Sequence, residues 1–195
     1  MQSKQFALGS LAFAGMFGLV SQTSWAQTPQ ERLPSCLACH GEQGTSINPE
    51  VPSLGAQKAP YMEIQLYLYR ERMNRNEAMN EAMTGVRNAD LRIMAELLSR
   101  LPPPMPMSDA IDSARMDRGR RLIHQHRCDI CHNPDLSGRE NVPRVAGQRE
   151  DYLLKVLRGY KDNTRPGYDA SMGEVLQPIA EEDIRDLAYF AARQP

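Results

Sequence analysis

Two copies of one pentapeptide carry the chemistry of this chain: Cys36-Leu37-Ala38-Cys39-His40 and Cys128-Asp129-Ile130-Cys131-His132. Two cysteines three positions apart fall on one side of a helical turn. Their sulfurs reach two vinyl groups of one porphyrin and form thioethers. The histidine that follows is carried under the iron as an axial ligand. The pattern predicts two haem c groups, covalently bound through Cys36, Cys39, Cys128 and Cys131, with His40 and His132 on the irons. These are all the cysteines the chain has. A structural zinc would not need a histidine at the same offset after both pairs. A thioredoxin-like dithiol expects a βαβ setting that is absent here. Disulfides are the plain alternative for an exported protein.

The elements that must position these groups occur twice. Cys128 follows Cys36 by 92 positions, and other features follow at nearly the same offset. Pro52-Ser53-Leu54-Gly55-Ala56-Gln57 precedes Tyr61, and Pro143-Arg144-Val145-Ala146-Gly147-Gln148 precedes Tyr152. Each half closes on a segment with apolar residues every three or four positions, Asp90 to Leu98 and Asp183 to Ala191, the mark of a helix with one buried face. No strand pattern appears, so both halves read as all-α. The repeat also selects among the methionines. Aligning the closing helices puts Val86 opposite Ile179, and seven positions before each stand Met79 and Met172. Met83 is the rival in the first half, but its counterpart is Leu176, which cannot ligate iron. Met79 and Met172 are therefore the expected second axial ligands. A ligating histidine donates its other ring N–H to a carbonyl, and Pro52 and Pro143 stand at nearly matching distances to supply one. His124 and His126 are expected at the surface.

The ends and composition bound the rest. A leader is expected over 1–26: Lys4, an apolar run from Phe6 to Val20, and Ser24-Trp25-Ala26 as a cleavage site after Ala26. No other stretch is apolar enough to cross a bilayer. Bacterial c-type haem attachment takes place outside the cytoplasmic membrane, which agrees with export to the periplasm. The net charge of -1 gives no basic excess for nucleic acid. Aromatics make up only 6%, so two porphyrins must supply much of the core. Four prolines in Leu101-Pro102-Pro103-Pro104-Met105-Pro106-Met107-Ser108 favour an extended, semi-rigid connection. The expected division is domain 1 over 27–101, a linker over 102–108, and domain 2 over 109–195.

At these residues the chain resembles the cytochrome c4 family, dihaem proteins of the periplasm built from two class I cytochrome c domains in tandem. The resemblance implies the same distal ligands, Met79 and Met172, and two low-spin haems facing one another across the domain interface. It implies an electron carrier between redox partners such as a quinol-oxidising complex, a dehydrogenase or a terminal oxidase. The family's leading helix is expected to be short or absent in domain 1, because only Gln27 to Ser35 precede Cys36 and Pro34 is among them. A second function class is the electron-transfer subunit of a larger dehydrogenase, of flavocytochrome sulfide dehydrogenase or quinoprotein type. A dihaem peroxidase would need one open or His-ligated iron, against which two matching methionines argue.

Overall fold

The computed structural model describes residues 27–165 and 170–195, and the expected leader over 1–26 lies outside them. The described residues are helical, with one isolated β-bridge between Arg139 and Val142. In the first half the helices are α1 (Pro29–His40), α2 (Ala59–Arg70), α3 (Glu77–Ala82) and α4 (Asn88–Ser99). In the second they are α5 (Ser113–Gln125), α6 (Cys128–His132), α7 (Glu150–Lys161), α8 (Ser171–Leu176) and α9 (Glu181–Ala192).

The leading segment of the first half is short, as expected: only Pro29 to Ser35 of α1 precede Cys36, whereas α5 of the second half has 13 residues of its own before a separate motif helix. Thr28 caps α1: its side chain accepts from the Glu31 N–H, and the Glu31 carboxylate accepts from the Thr28 N–H at 2.8 Å. This reciprocal box satisfies two donors that a helix start leaves unpaired. Pro29 at the first position costs nothing, because its missing N–H would have been unpaired there. Pro34 sits inside α1 and removes one internal bond. The helix nevertheless runs on through Cys36 and Cys39, so leading segment and haem motif are one element. In the second half they are two elements. Arg127 adopts a left-handed conformation, φ 56°, and separates α5 from α6.

Each half packs its closing helix against the leading helix and the middle one. α4 lies on α1 and α2, and α9 lies on α5 and α7. The α5–α9 crossing is close: a Cβ on Gly119 would lie 2.4 Å from Phe190 Cβ and 2.7 Å from the Asp186 carbonyl oxygen. Two separate apolar clusters result, one containing Met62, Leu66, Met83 and Leu98, the other Leu122, Leu153, Leu176 and Ile184. The register between the halves is visible in the burial. Met83 and Leu176 are each 2% exposed, and Val86 and Ile179 are both buried.

The proline-rich connection forms neither helix nor strand. It runs against the same loop of both halves. The Leu101 carbonyl accepts from the Ala56 N–H at 2.9 Å. A Cβ on Gly55 would lie 1.9 Å from the Pro102 carbonyl oxygen, and one on Gly147 would lie 2.7 Å from that of Pro104. Only glycine admits so close a strap. Past the linker, the guanidinium of Arg193, just after α9, binds Asp109 and Glu150 and lies 3.5 Å from the Tyr189 ring centroid.

Candidate haem sites

The two pentapeptides end on His40, the last residue of α1, and His132, the last of α6, and both rings are buried. His40 Nδ1 lies 2.8 Å from the Pro52 carbonyl oxygen, and His132 Nδ1 lies 2.9 Å from that of Pro143. A carbonyl only accepts, so Nδ1 carries the proton in both rings. Nε2 is then left with its lone pair free, the form a metal needs. Burial holds both imidazoles below their ordinary pKa, partly offset by the prolyl carbonyls. A neutral ring is thus favoured in each half.

No disulfide joins any of the four cysteines, so the structure does not follow the disulfide reading. Cys36 and Cys128 are half-buried, while Cys39 and Cys131 are exposed. Burial raises the Cys36 thiol and pushes Cys128 up to about 11. Among the described residues, no group of three or more His, Cys, Asp or Glu side chains is placed to hold a metal ion, which leaves the zinc reading without a ligand set.

The methionines separate by burial. Met79 on α3 and Met172 on α8 are half-buried at the edges of their apolar clusters, whereas Met83 is enclosed. The Asn76 side chain caps α3 by accepting from the Met79 N–H at 3.0 Å, which fixes Met79 in the first turn of that helix. His124 is exposed and pairs with Asp129 at 2.8 Å, as a surface histidine should. His126 departs from the surface expectation: it is half-buried, and its Nε2 is buried with no partner among the described residues.

Two further features suit a haem. Arg144 Nε is buried and unpartnered, and burial lowers the Arg144 pKa. An unpartnered guanidinium N–H beside His132's carbonyl partner suits the carboxylates that haem carries. Burial, followed by the charge of Tyr152 from the other half, pushes the Tyr61 hydroxyl up, so both halves contribute tyrosines to one region. The arrangement therefore fits two haem groups.

The sequence reading did not foresee the role of Gln57 and Gln148, the last residues of the repeated Pro-to-Gln stretch. Each is 7% exposed, and each reaches into the opposite half. Gln57 Nε2 donates to the Arg144 carbonyl at 3.0 Å, and its Oε1 accepts from the Arg144 N–H at 2.7 Å. Gln148 Nε2 donates to the Ser53 carbonyl at 3.0 Å, and its Oε1 accepts from the Ser53 N–H at 2.9 Å. Their presence at one register position in both halves was the available signal. An exposed pair between Lys155 and Glu50 adds to the same junction.

No family model matches the chain. Among curated proteins, cytochrome c-552 of Acidithiobacillus ferridurans is 28% identical over 97% of this chain and 87% of its own length. The thiosulfate dehydrogenase electron acceptor of Thiomonas intermedia is 28% identical over 95% and 90%. Cytochrome c4 of Pseudomonas aeruginosa is 24% identical over 90% and 92%. Among solved structures, cytochrome c4 of Acidithiobacillus ferrooxidans superposes with a TM-score of 0.71 at 26% identity, covering 82% of this chain and 98% of that one. All-helical halves, each with its own haem motif, define an electron-transferring c-type cytochrome with two covalently bound haems. Along nearly its whole length the chain is similar to members of the cytochrome c4 family.

Proposed function

We propose that this protein is a periplasmic electron carrier in which residues 27–101 and 109–195 each hold one haem. Cys36 and Cys39 would bind the first covalently, with His40 and Met79 on its iron. Cys128 and Cys131 would bind the second, with His132 and Met172. The observation that carries this reading is the matched pair of His–Pro contacts, at 2.8 and 2.9 Å, directly after each cysteine pair. Bound haem supplies a one-electron iron couple. The chain's residues set its conditions. The prolyl carbonyls fix the tautomer and the angle of each imidazole. The thioethers of Met79 and Met172 would serve as the irons' second ligands and would favour the ferrous state. The apolar clusters keep water from both sites.

Export is supported by the reading of 1–26 as a cleaved leader and by the site of bacterial haem attachment. Among the described residues no helix is long and apolar enough to cross a membrane. The Thiomonas relative is named for accepting electrons from a thiosulfate dehydrogenase, which supports a dehydrogenase as the donor here too. The same likeness favours a second reading, a subunit held within a dehydrogenase complex. A spectroscopic redox titration with and without carbon monoxide tests the carrier. Two one-electron waves that ignore carbon monoxide are expected. Rapid peroxide turnover, or a haem that binds carbon monoxide in the native reduced protein, would instead indicate an enzyme. Co-purification with a flavin or quinoprotein chain would select the subunit reading.

A further inference from the structure

The Pro52 carbonyl and the Ser53 N–H belong to one peptide group. The carbonyl accepts from His40 Nδ1 at 2.8 Å, and the N–H donates to Gln148 Oε1 at 2.9 Å. The other half repeats this. The Pro143 carbonyl accepts from His132 Nδ1 at 2.9 Å, and the Arg144 N–H of the same peptide donates to Gln57 Oε1 at 2.7 Å. Each histidine is therefore one peptide away from a glutamine of the opposite half. The glutamines are themselves held. Oε1 of Gln57 also accepts from the Lys58 N–H at 3.0 Å, and Oε1 of Gln148 from the Arg149 N–H at 3.1 Å, at the residues just before α2 and α7. Each Nε2 then donates to the carbonyl of the residue it clasps.

We infer that Gln57 and Gln148 are crossed positioning residues: Gln148 tunes the reduction potential of the first haem, and Gln57 that of the second. The inference rests on His40 and His132 as the iron's histidines. A peptide whose N–H is engaged holds more negative charge on its carbonyl, because bonds in a chain polarise one another. The more negative prolyl carbonyl draws the Nδ1 proton harder. The imidazole becomes a stronger donor to iron, which favours the ferric state. All these groups are buried or half-buried, where such polarisation is least screened. The clasp also makes each haem's histidine sensitive to how the halves are docked. A partner that loosened the junction would raise both potentials.

The test uses the complete two-haem protein and starts from its unsubstituted form. Absence of two histidine-ligated haems there would remove the site reading and the inference with it. Given both haems, Gln148→Leu and Gln57→Leu are compared by a redox titration that resolves the two haems by their NMR signals. Gln148→Leu should raise the reduction equilibrium constant of the first haem by about threefold, or about 28 mV at about 59 mV per tenfold. The His40 Nδ1–H resonance should move upfield, and the second haem should stay put. Gln57→Leu should do the mirror image. A shift confined to the haem of the substituted half, an equal shift of both, or none would overturn the proposal while leaving the ligand assignment intact. If either variant fails to fold, hydrogen exchange on the unsubstituted protein decides. Slow exchange of the Ser53 and Arg144 amides supports the clasp, and exchange as fast as in an open loop refutes it.

Discussion

Replacing Met83 and Met79 in turn separates packing from ligation in the first half. Met83 is 2% exposed and lies among Met62, Leu66, Val86 and Leu98. Met83→Ala leaves a cavity there and should cost about 2–5 kcal/mol. For a cooperative unit of this size, each kcal/mol moves the melting midpoint by about 4–8 °C. The loss should therefore be at least about 8 °C, while both haems keep their spectra. Leu176→Ala, at the matching 2%-exposed position of the second half, should behave alike. Met79→Ala removes a half-buried side chain and should cost less in packing. It should instead abolish half of the far-red ferric sulfur-to-iron band, lower the potential of the first haem, and open that haem alone to carbon monoxide. Thermal melts and ferric absorption spectra of the three variants are the assay. If Met83→Ala loses the band and Met79→Ala keeps it, both the ligand assignment and the register between the halves are wrong.

Other perturbations follow from the packing. Arg193→Met removes a guanidinium that binds Asp109 and Glu150, each at 2.6 Å, and should lower the denaturant midpoint. The loss should be about 1 kcal/mol, because the carboxylates left behind keep contact with water. Burial pushes the Asp186 carboxyl up, but hydrogen bonds from Arg118 and Arg115 outweigh it and hold the pKa below the ordinary value. A depressed carboxyl stabilises the fold above its unfolded pKa and loses that contribution as pH falls through the folded one. Asp186→Asn should therefore melt lower than the parent at neutral pH, with the gap closing below about pH 4. Ala56 holds φ 50° where the other half has Gly147 at φ 67°. Ala56→Gly should raise stability by up to about 1 kcal/mol, read from the denaturant midpoint.

Much of the candidate site was legible because it is local. The cysteine–histidine spacing lies within one turn, and Pro52 and Pro143 lie in the loops directly beyond it. The methionine register was legible because a repeat supplies its own comparison: Met83 and Leu176 share a position that only packing explains. The shortness of the first leading segment is legible in the few residues before Cys36, but its helical form through Pro34 rests on the helix start spelled by Thr28, Pro29 and Glu31. Local caps outweighed one lost internal bond. The partial burial of His126 depends on how Arg127 turns the chain into α6, which composition does not reveal. The glutamine clasp was illegible for another reason. Each glutamine marks the repeat, but its partner lies 87 or 95 residues away in the other half. Internal periodicity says nothing about how two copies dock.

The central claim is that each half carries its own haem on its own cysteine pair. Peptide mass spectrometry of the purified, protease-digested protein tests it most directly. The account predicts one haem mass on the peptide containing Cys36 and Cys39 and another on the peptide containing Cys128 and Cys131, with no free thiol left to alkylate. Alkylated cysteines, a disulfide within either pair, or haem that separates from both peptides in acidified organic solvent would contradict it.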